Sequence, residues 1–221
     1  MTREAFHKAL TDVENDLMQM ASLVSVALND AMAALAKRDV AASQRVVRND
    51  IHINRKRFAI EEKCIQLIAT QQPMAVDLRI LTAIINIITD LERIGDHAEG
   101  IAKISISIGD APLVKPLIDL PVMAAKGDSM LKRCMAAFIE RDAETARSIC
   151  NEDDEVDALY DAIYNELVLM MVDDPKIIKD ATYLIWAAHN LERTADRVTN
   201  IAERVVYMVT GKMEEMNVSK Y

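Results

Sequence analysis

Glycine and proline are scarce in this chain, with five of each among 221 residues. Neither occurs between residues 1 and 72 or between residues 176 and 210. Stretches that long without a breaker read as long helices joined by short turns. Aromatic residues make up only 4% of the chain, although 51% of it is hydrophobic. A core of Ala, Leu, Ile, Val and Met suits helix packing and argues against a β-sandwich. Cysteine is nearly missing too. Cys64, Cys134 and Cys150 are an odd set with no CxxC pair, which predicts free thiols in a reducing compartment. A basic surplus is absent: the formal net charge is -9, the opposite of what phosphate-driven nucleic-acid binding requires. No apolar segment approaches the roughly 20 residues that span a bilayer. The longest run, residues 80–88, is interrupted by Asn86, and the opening MTREAFHKAL has no apolar signal core. These absences predict a cytoplasmic protein without membrane insertion or a nucleic-acid partner. HExxH, Walker, GxSxG and Rossmann patterns are all missing, and no nucleophile stands with a base, so no enzyme is expected.

What is present is a repeat. Met32-Ala33-Ala34 followed by Arg38-Asp39 recurs as Met135-Ala136-Ala137 followed by Arg141-Asp142, an offset of 103. Leu91-Glu92-Arg93, Asp96 and Ile101-Ala102 recur as Leu191-Glu192-Arg193, Asp196 and Ile201-Ala202, an offset of 100. Two matches in the same order indicate a tandem duplication. Breakers and periodicity predict helices over residues 3–37, 40–70, 75–108, 122–140, 143–172 and 175–210. The first carries a heptad seam, Leu10, Leu17, Val24 and Ala31 with Val13, Met20, Ala27 and Ala34. The fold class is all-α: an up-down-up three-helix bundle over residues 3–108, a linker over 109–121, and a second bundle over 122–213.

The acids form a second pattern. Glu92 and Asp96 lie four residues apart on the flank of the face holding Ile84, Ile88, Leu91, Gly95, Ala98 and Ala102. Glu192 and Asp196 repeat this beside Leu184, Leu191, Val198 and Val205. Asp50 with Asn54, and Asp153 with Asp157, make matching pairs on the preceding helices. From a turn near Gln72, Asn54 lies 18 residues before and Glu92 20 after; Asp50 lies 22 before and Asp96 24 after. From Pro175, Asp157 and Glu192 lie 18 and 17 residues away, and Asp153 and Asp196 lie 22 and 21 away. Antiparallel helices of equal rise therefore bring one acid stripe level with another. Like charges so placed repel. Either a hard cation bound through oxygen, such as magnesium, calcium, manganese or an iron cluster, or arginines such as Arg93, Arg193, Arg57 and Arg204 would offset the repulsion. His52 and His97 lie near the stripes but read as surface residues, and Trp186 reads as structural.

The run from Leu67 to Arg79, LIATQQPMAVDLR, together with Leu91-Glu92-Arg93-Ile94-Gly95-Asp96, closely resembles the PhoU family. Asn49-Asp50 with Ile53-Asn54, and Glu152-Asp153 with Val156-Asp157, resemble the family's patterns on the second and fifth helices. The resemblance spans essentially the whole chain. It implies two pseudo-symmetric three-helix bundles and a homodimer. It also implies negative control of the phosphate-starvation response, between the ATPase side of the high-affinity phosphate ABC transporter and a sensor histidine kinase. Metal binding is implied as well, with iron, zinc, manganese or magnesium as candidates, at Asp50, Asn54, Glu92, Asp96, Asp153, Asp157, Glu192 and Asp196. A metal-free helical adaptor and a metal-dependent hydrolase are the alternative readings. One departure is Arg193-Thr194-Ala195-Asp196, where the family pattern reads Arg-Ile-Gly-Asp.

Overall fold

The computed structural model describes residues 3–216. Seven α-helices follow one another: α1 (Arg3–Lys37), α2 (Val40–Gln71), α3 (Val76–Ile108), α4 (Asp119–Glu140), α5 (Ala143–Cys150), α6 (Asp153–Asp173) and α7 (Ile178–Thr210), with a 3-10 turn at Pro175–Ile177 before α7. No strand occurs among the described residues. The chain is all-α, as expected, and α1–α3 form one bundle while α4–α7 form the other.

The repeated Arg-Asp dipeptide is a helix-to-helix turn. Arg38 and Arg141 take left-handed conformations, with φ of 56° and 59°, and end α1 and α4. Asp39 and Asp142 then cap the next helix: Asp39 accepts from Ala42 N at 2.8 Å, and Asp142 from Glu144 N and Thr145 N at 3.0 Å. A side-chain oxygen at this position satisfies amides that have no partner inside the helix.

The expected seam of α1 is buried except at Ala27, which is only partly covered; Leu28 is buried beside it. A helix of 3.6 residues per turn drifts off a seven-residue repeat, and α4 covers the shifted face. The helix is also long and apolar enough to cross a membrane, with a mean hydropathy of 1.2 over 18 residues. Its apolar residues are interleaved with polar ones, so no unbroken apolar run marks it in the sequence. Half of that window is buried inside the protein, against α2, α3 and α4.

Three predicted elements differ from the structure, one of them only in that Pro175–Ile177 forms a 3-10 turn ahead of α7. Helix α4 starts at Asp119 rather than residue 122, with Pro121 accommodated in its first turn, where a missing N–H breaks no helical bond. The helix expected over residues 143–172 is broken at Asn151 and Glu152, whose amides bond back to Ser148 and Ile149 at 3.2 and 3.1 Å. Asp153, Asp154 and Glu155 occupy the first turn of α6, where the positive end of the helix dipole favours acids.

The bundles pack through α3 against α7 and α1 against α4, around one continuous apolar core. Asn190 lies against Gly100, and Asp90 at the matching position pairs with Arg197 and Asn200. On α1 and α4, Ser25 donates to Asp128 at 2.5 Å, and these two positions are equivalent at the offset of 103. This self-matched contact, with Asn190–Gly100 mirrored by Asp90–Asn200, is the reciprocal pattern of a pseudo-two-fold relation between the copies. Burial alone would push Asp128 up, but hydrogen bonds from Lys132, Ser25 and Asn29 hold it below the usual carboxylate range. At the far end, Arg79 donates to Met208 O at 3.2 Å, closing the C-terminal turn of α7 beside Gly211.

Candidate functional site

Each hairpin assembles an acid cluster. In copy one, Glu92 and Asp96 on α3 face Asp50 and Asn54 on α2. Gly95 sets the approach: a Cβ there would lie 3.1 Å from Ile53 Cδ1 and 3.3 Å from Asp50 Oδ1. Burial pushes Asp50 up, and the charges of Glu99, Asp96 and Glu92 push it further; the Asn54 amide, donating to Asp50 Oδ2 at 2.6 Å, opposes them. Glu99 is a member that the sequence reading missed. Its spacing held the signal, seven residues beyond Glu92 and three beyond Asp96.

Copy two places Asp153, Asp157, Glu192 and Asp196 together. Asp153 is buried, with only 3% of its surface exposed. Burial, with Asp196, Asp157 and Asp153 near, pushes Glu192 up to about 7, although Arg193 pulls the other way. Burial also raises Asp196 against the charges of Arg193, Arg197 and His189. Apart from the buried Asp153, the acids are half-buried at the edge of the core.

Arginines offset part of the repulsion. Arg93 reaches Asp96 at 2.9 Å and Glu92 at 3.6 Å. Arg57 lies 4.0 Å from Glu92, and Arg193 lies 3.6 Å from Asp196. Other carboxylate atoms remain without donors: Asp50 Oδ1 and Glu192 Oε2 are buried and accept no hydrogen bond. His189 Nδ1 is 3.2 Å from Glu192 Oε2, but not in hydrogen-bonding geometry. Unsatisfied oxygens among half-buried carboxylates are the donor chemistry of a hard cation. Among the described residues, no three His, Cys, Asp or Glu side chains converge as ligands to one ion. The donor set fits a hard cation in kind, but the carboxylates as placed do not converge on one point.

The other singled-out residues divide. His52 is exposed. His97 turns toward α7, where burial, with Arg197, Arg193, His189 and Arg93 around it, pulls its pKa down to about 4. Thr194, fully buried, donates to Asn190 O at 2.9 Å and meets the position of Gly127 across the interface. Trp186, expected to be structural, is half-exposed at 53%. The cysteines are free and buried, and burial lifts Cys64 and Cys150 to about 12, which makes them inert core residues.

The sequence matches the PhoU domain twice, over residues 17–105 and 120–205. It is 36% identical over 218 residues to the phosphate-specific transport system accessory protein PhoU homolog of Clostridium acetobutylicum, covering 98% of this chain and 100% of the relative. The crystal structure of PhoU from Pseudomonas aeruginosa superposes with a TM-score of 0.90 at 35% identity, covering 94% of this chain and 100% of the other. The phosphate transport system regulatory protein PhoU from Streptococcus pneumoniae gives 0.89 at 33% identity, covering 95% and 99%. A duplicated helical bundle with paired acid clusters, aligned end to end with these proteins, belongs to the PhoU domain family.

Proposed function

We propose that this chain is a cytoplasmic accessory regulator of phosphate uptake, a homodimer and not an enzyme, that represses the phosphate-starvation response. It acts between the ATPase side of the phosphate ABC transporter and a sensor histidine kinase. The observation that carries this reading is the end-to-end similarity to proteins named as accessory or regulatory components of phosphate transport. The absence of a nucleophile–base pair from the acid clusters supports a binding role over catalysis.

Each cluster holds a divalent metal in this reading. Asp50, Asn54, Glu92 and Asp96 supply oxygens in copy one, and Asp153, Asp157, Glu192 and Asp196 in copy two. The bound ion supplies positive charge. Its charge would offset the carboxylate repulsion that adds to burial in raising Asp50 and Glu192. A second reading, a metal-free adaptor, is favoured by the arginines that already sit against Glu92 and Asp96.

The test is genetic. Removing the gene from its host should leave phosphate-starvation genes active in phosphate-rich medium. Supplying the wild-type protein should restore repression, and Glu92→Ala with Asp96→Ala should not. Repression that survives the deletion overturns the regulatory reading, and full rescue by the double variant overturns the role of the acids.

A further inference from the structure

The two copies differ in what stands beside the acids. In copy one, Arg57 lies 4.0 Å from Glu92 and 3.9 Å from Glu61. At the offset of 103, Tyr160 replaces Arg57 and Tyr164 replaces Glu61; at the offset of 100, Trp186 and His189 replace Asn86 and Thr89. The cation of copy one has thus become a surface of rings. Tyr164 and Tyr160 have centroids 6.2 Å apart, Tyr160 and His189 6.0 Å, and Tyr183 and Trp186 5.8 Å. His189 lies one helical turn beyond Trp186, which joins the pairs into one strip across α6 and α7. Trp186 is 53% exposed and Tyr164 44%.

The strip runs directly into the acids. Glu192 Oε2, buried without a hydrogen-bond donor, lies beside His189, and Asp157 and Asp196 follow. Ring faces attract cations, and Lys179 already stands over Tyr183 at 5.8 Å. Half-exposed Trp and Tyr are the side chains that anchor protein partners. Carboxylates at the end of the strip repel acidic partners and anionic membranes.

The geometry points to a docking site on α6 and α7 for a cationic protein segment. In the metal-free protein a partner's arginine or lysine lies across Tyr160 and Trp186 with its charge toward the part-exposed Glu192 carboxylate, the place that Arg57 fills in copy one, and a metal held by Glu192 competes with it. This site does not depend on the phosphate reading.

Trp186 is the only tryptophan, so its fluorescence reports on the site. The probe is a short amphipathic helical peptide with arginines along one face, titrated into full-length protein freed of metal by chelator. A matched peptide with glutamates and vesicles of phosphatidylcholine are run beside it. The arginine peptide should change Trp186 emission saturably, and the other two should not. Tyr160→Arg, which supplies the cation from within, should weaken binding roughly tenfold or more, while Tyr160→Phe should leave it within about twofold. Glu192→Gln gives a second test, with roughly tenfold weaker binding expected. Equal response to the glutamate peptide, response to the vesicles alone, or unchanged affinity in both Tyr160→Arg and Glu192→Gln overturns the site.

Discussion

In copy one, Gly95 lets an unbroken α2 lie against α3, with Ile53 and Asp50 occupying the space that a Cβ would need. In copy two, Ala195 stands in that place, fully buried, and the matching helix is interrupted just before Asp153. Both arrangements keep an aspartate against the middle of the central helix. One does so by removing a side chain, the other by restarting the helix so that Asp153 sits in its first turn. Position, rather than continuity of the helix, is what the two copies share. The charges differ in the same way: copy one brings Arg57 to its acids, and copy two brings Tyr160.

The largest effect should come from forcing copy one to resemble copy two. Gly95→Ala puts a methyl 3.1 Å from Ile53 in a helix that has no break to absorb it. Overpacking of about 1–3 kcal/mol outweighs the roughly 0.5–1 kcal/mol that alanine regains in a helix interior, so a net loss of up to about 2 kcal/mol is expected by urea denaturation. The reverse change, Ala195→Gly, should cost about 1–2 kcal/mol, from a looser helix interior and the loss of a buried methyl. Ile53→Val, which clears the space beside residue 95, should relieve part of the Gly95→Ala loss, and no relief would erase the proposed difference.

Glu192 gives the next effect. Its pKa in the folded protein is raised from 4.5 to about 7, so the fold holds that proton more tightly than the unfolded chain does. The associated stability is present below pH 4.5 and is lost as pH rises through about 7. Glu192→Gln should flatten this decline and raise stability at pH 8 by about 1–2 kcal/mol in metal-free protein. Thermal melts from pH 4 to pH 8 decide it; a wild-type profile that rises over that window contradicts the assignment.

Thr194 should matter least. Its hydroxyl donates within its own helix, to Asn190 O, so Thr194→Val should cost about 0.5–1 kcal/mol. A loss of several kcal/mol would mean that the 3.5 Å contact with His97 Nδ1 carries more of the interface than its length allows.

The helices were legible because residues 1–72 and 176–210 hold no breaker and their apolar positions keep a helical period. The break at Asn151 was not, since neither residue there is a strong breaker; it shows only when Ala195 is set beside Gly95 across the repeat. The level acid stripes followed from counting outward from Gln72 and Pro175. Glu99 was lost because only its i+3 and i+7 spacings marked it. The reach of Arg93 to Asp96 depends on side-chain torsions, which helical position does not fix. The aromatic strip joins residues on two helices, and Trp186 by itself carried no sign of exposure.

Elemental analysis of protein isolated without chelator tests the central claim, that both acid clusters hold a divalent cation. The wild-type protein should carry metal and melt at a lower temperature after chelation. Glu92→Ala with Asp96→Ala, and Glu192→Ala with Asp196→Ala, should each lose part of it, and the combination all of it. Metal-free wild-type protein whose melting temperature ignores chelator, or a metal content that neither pair of substitutions lowers, would contradict the account.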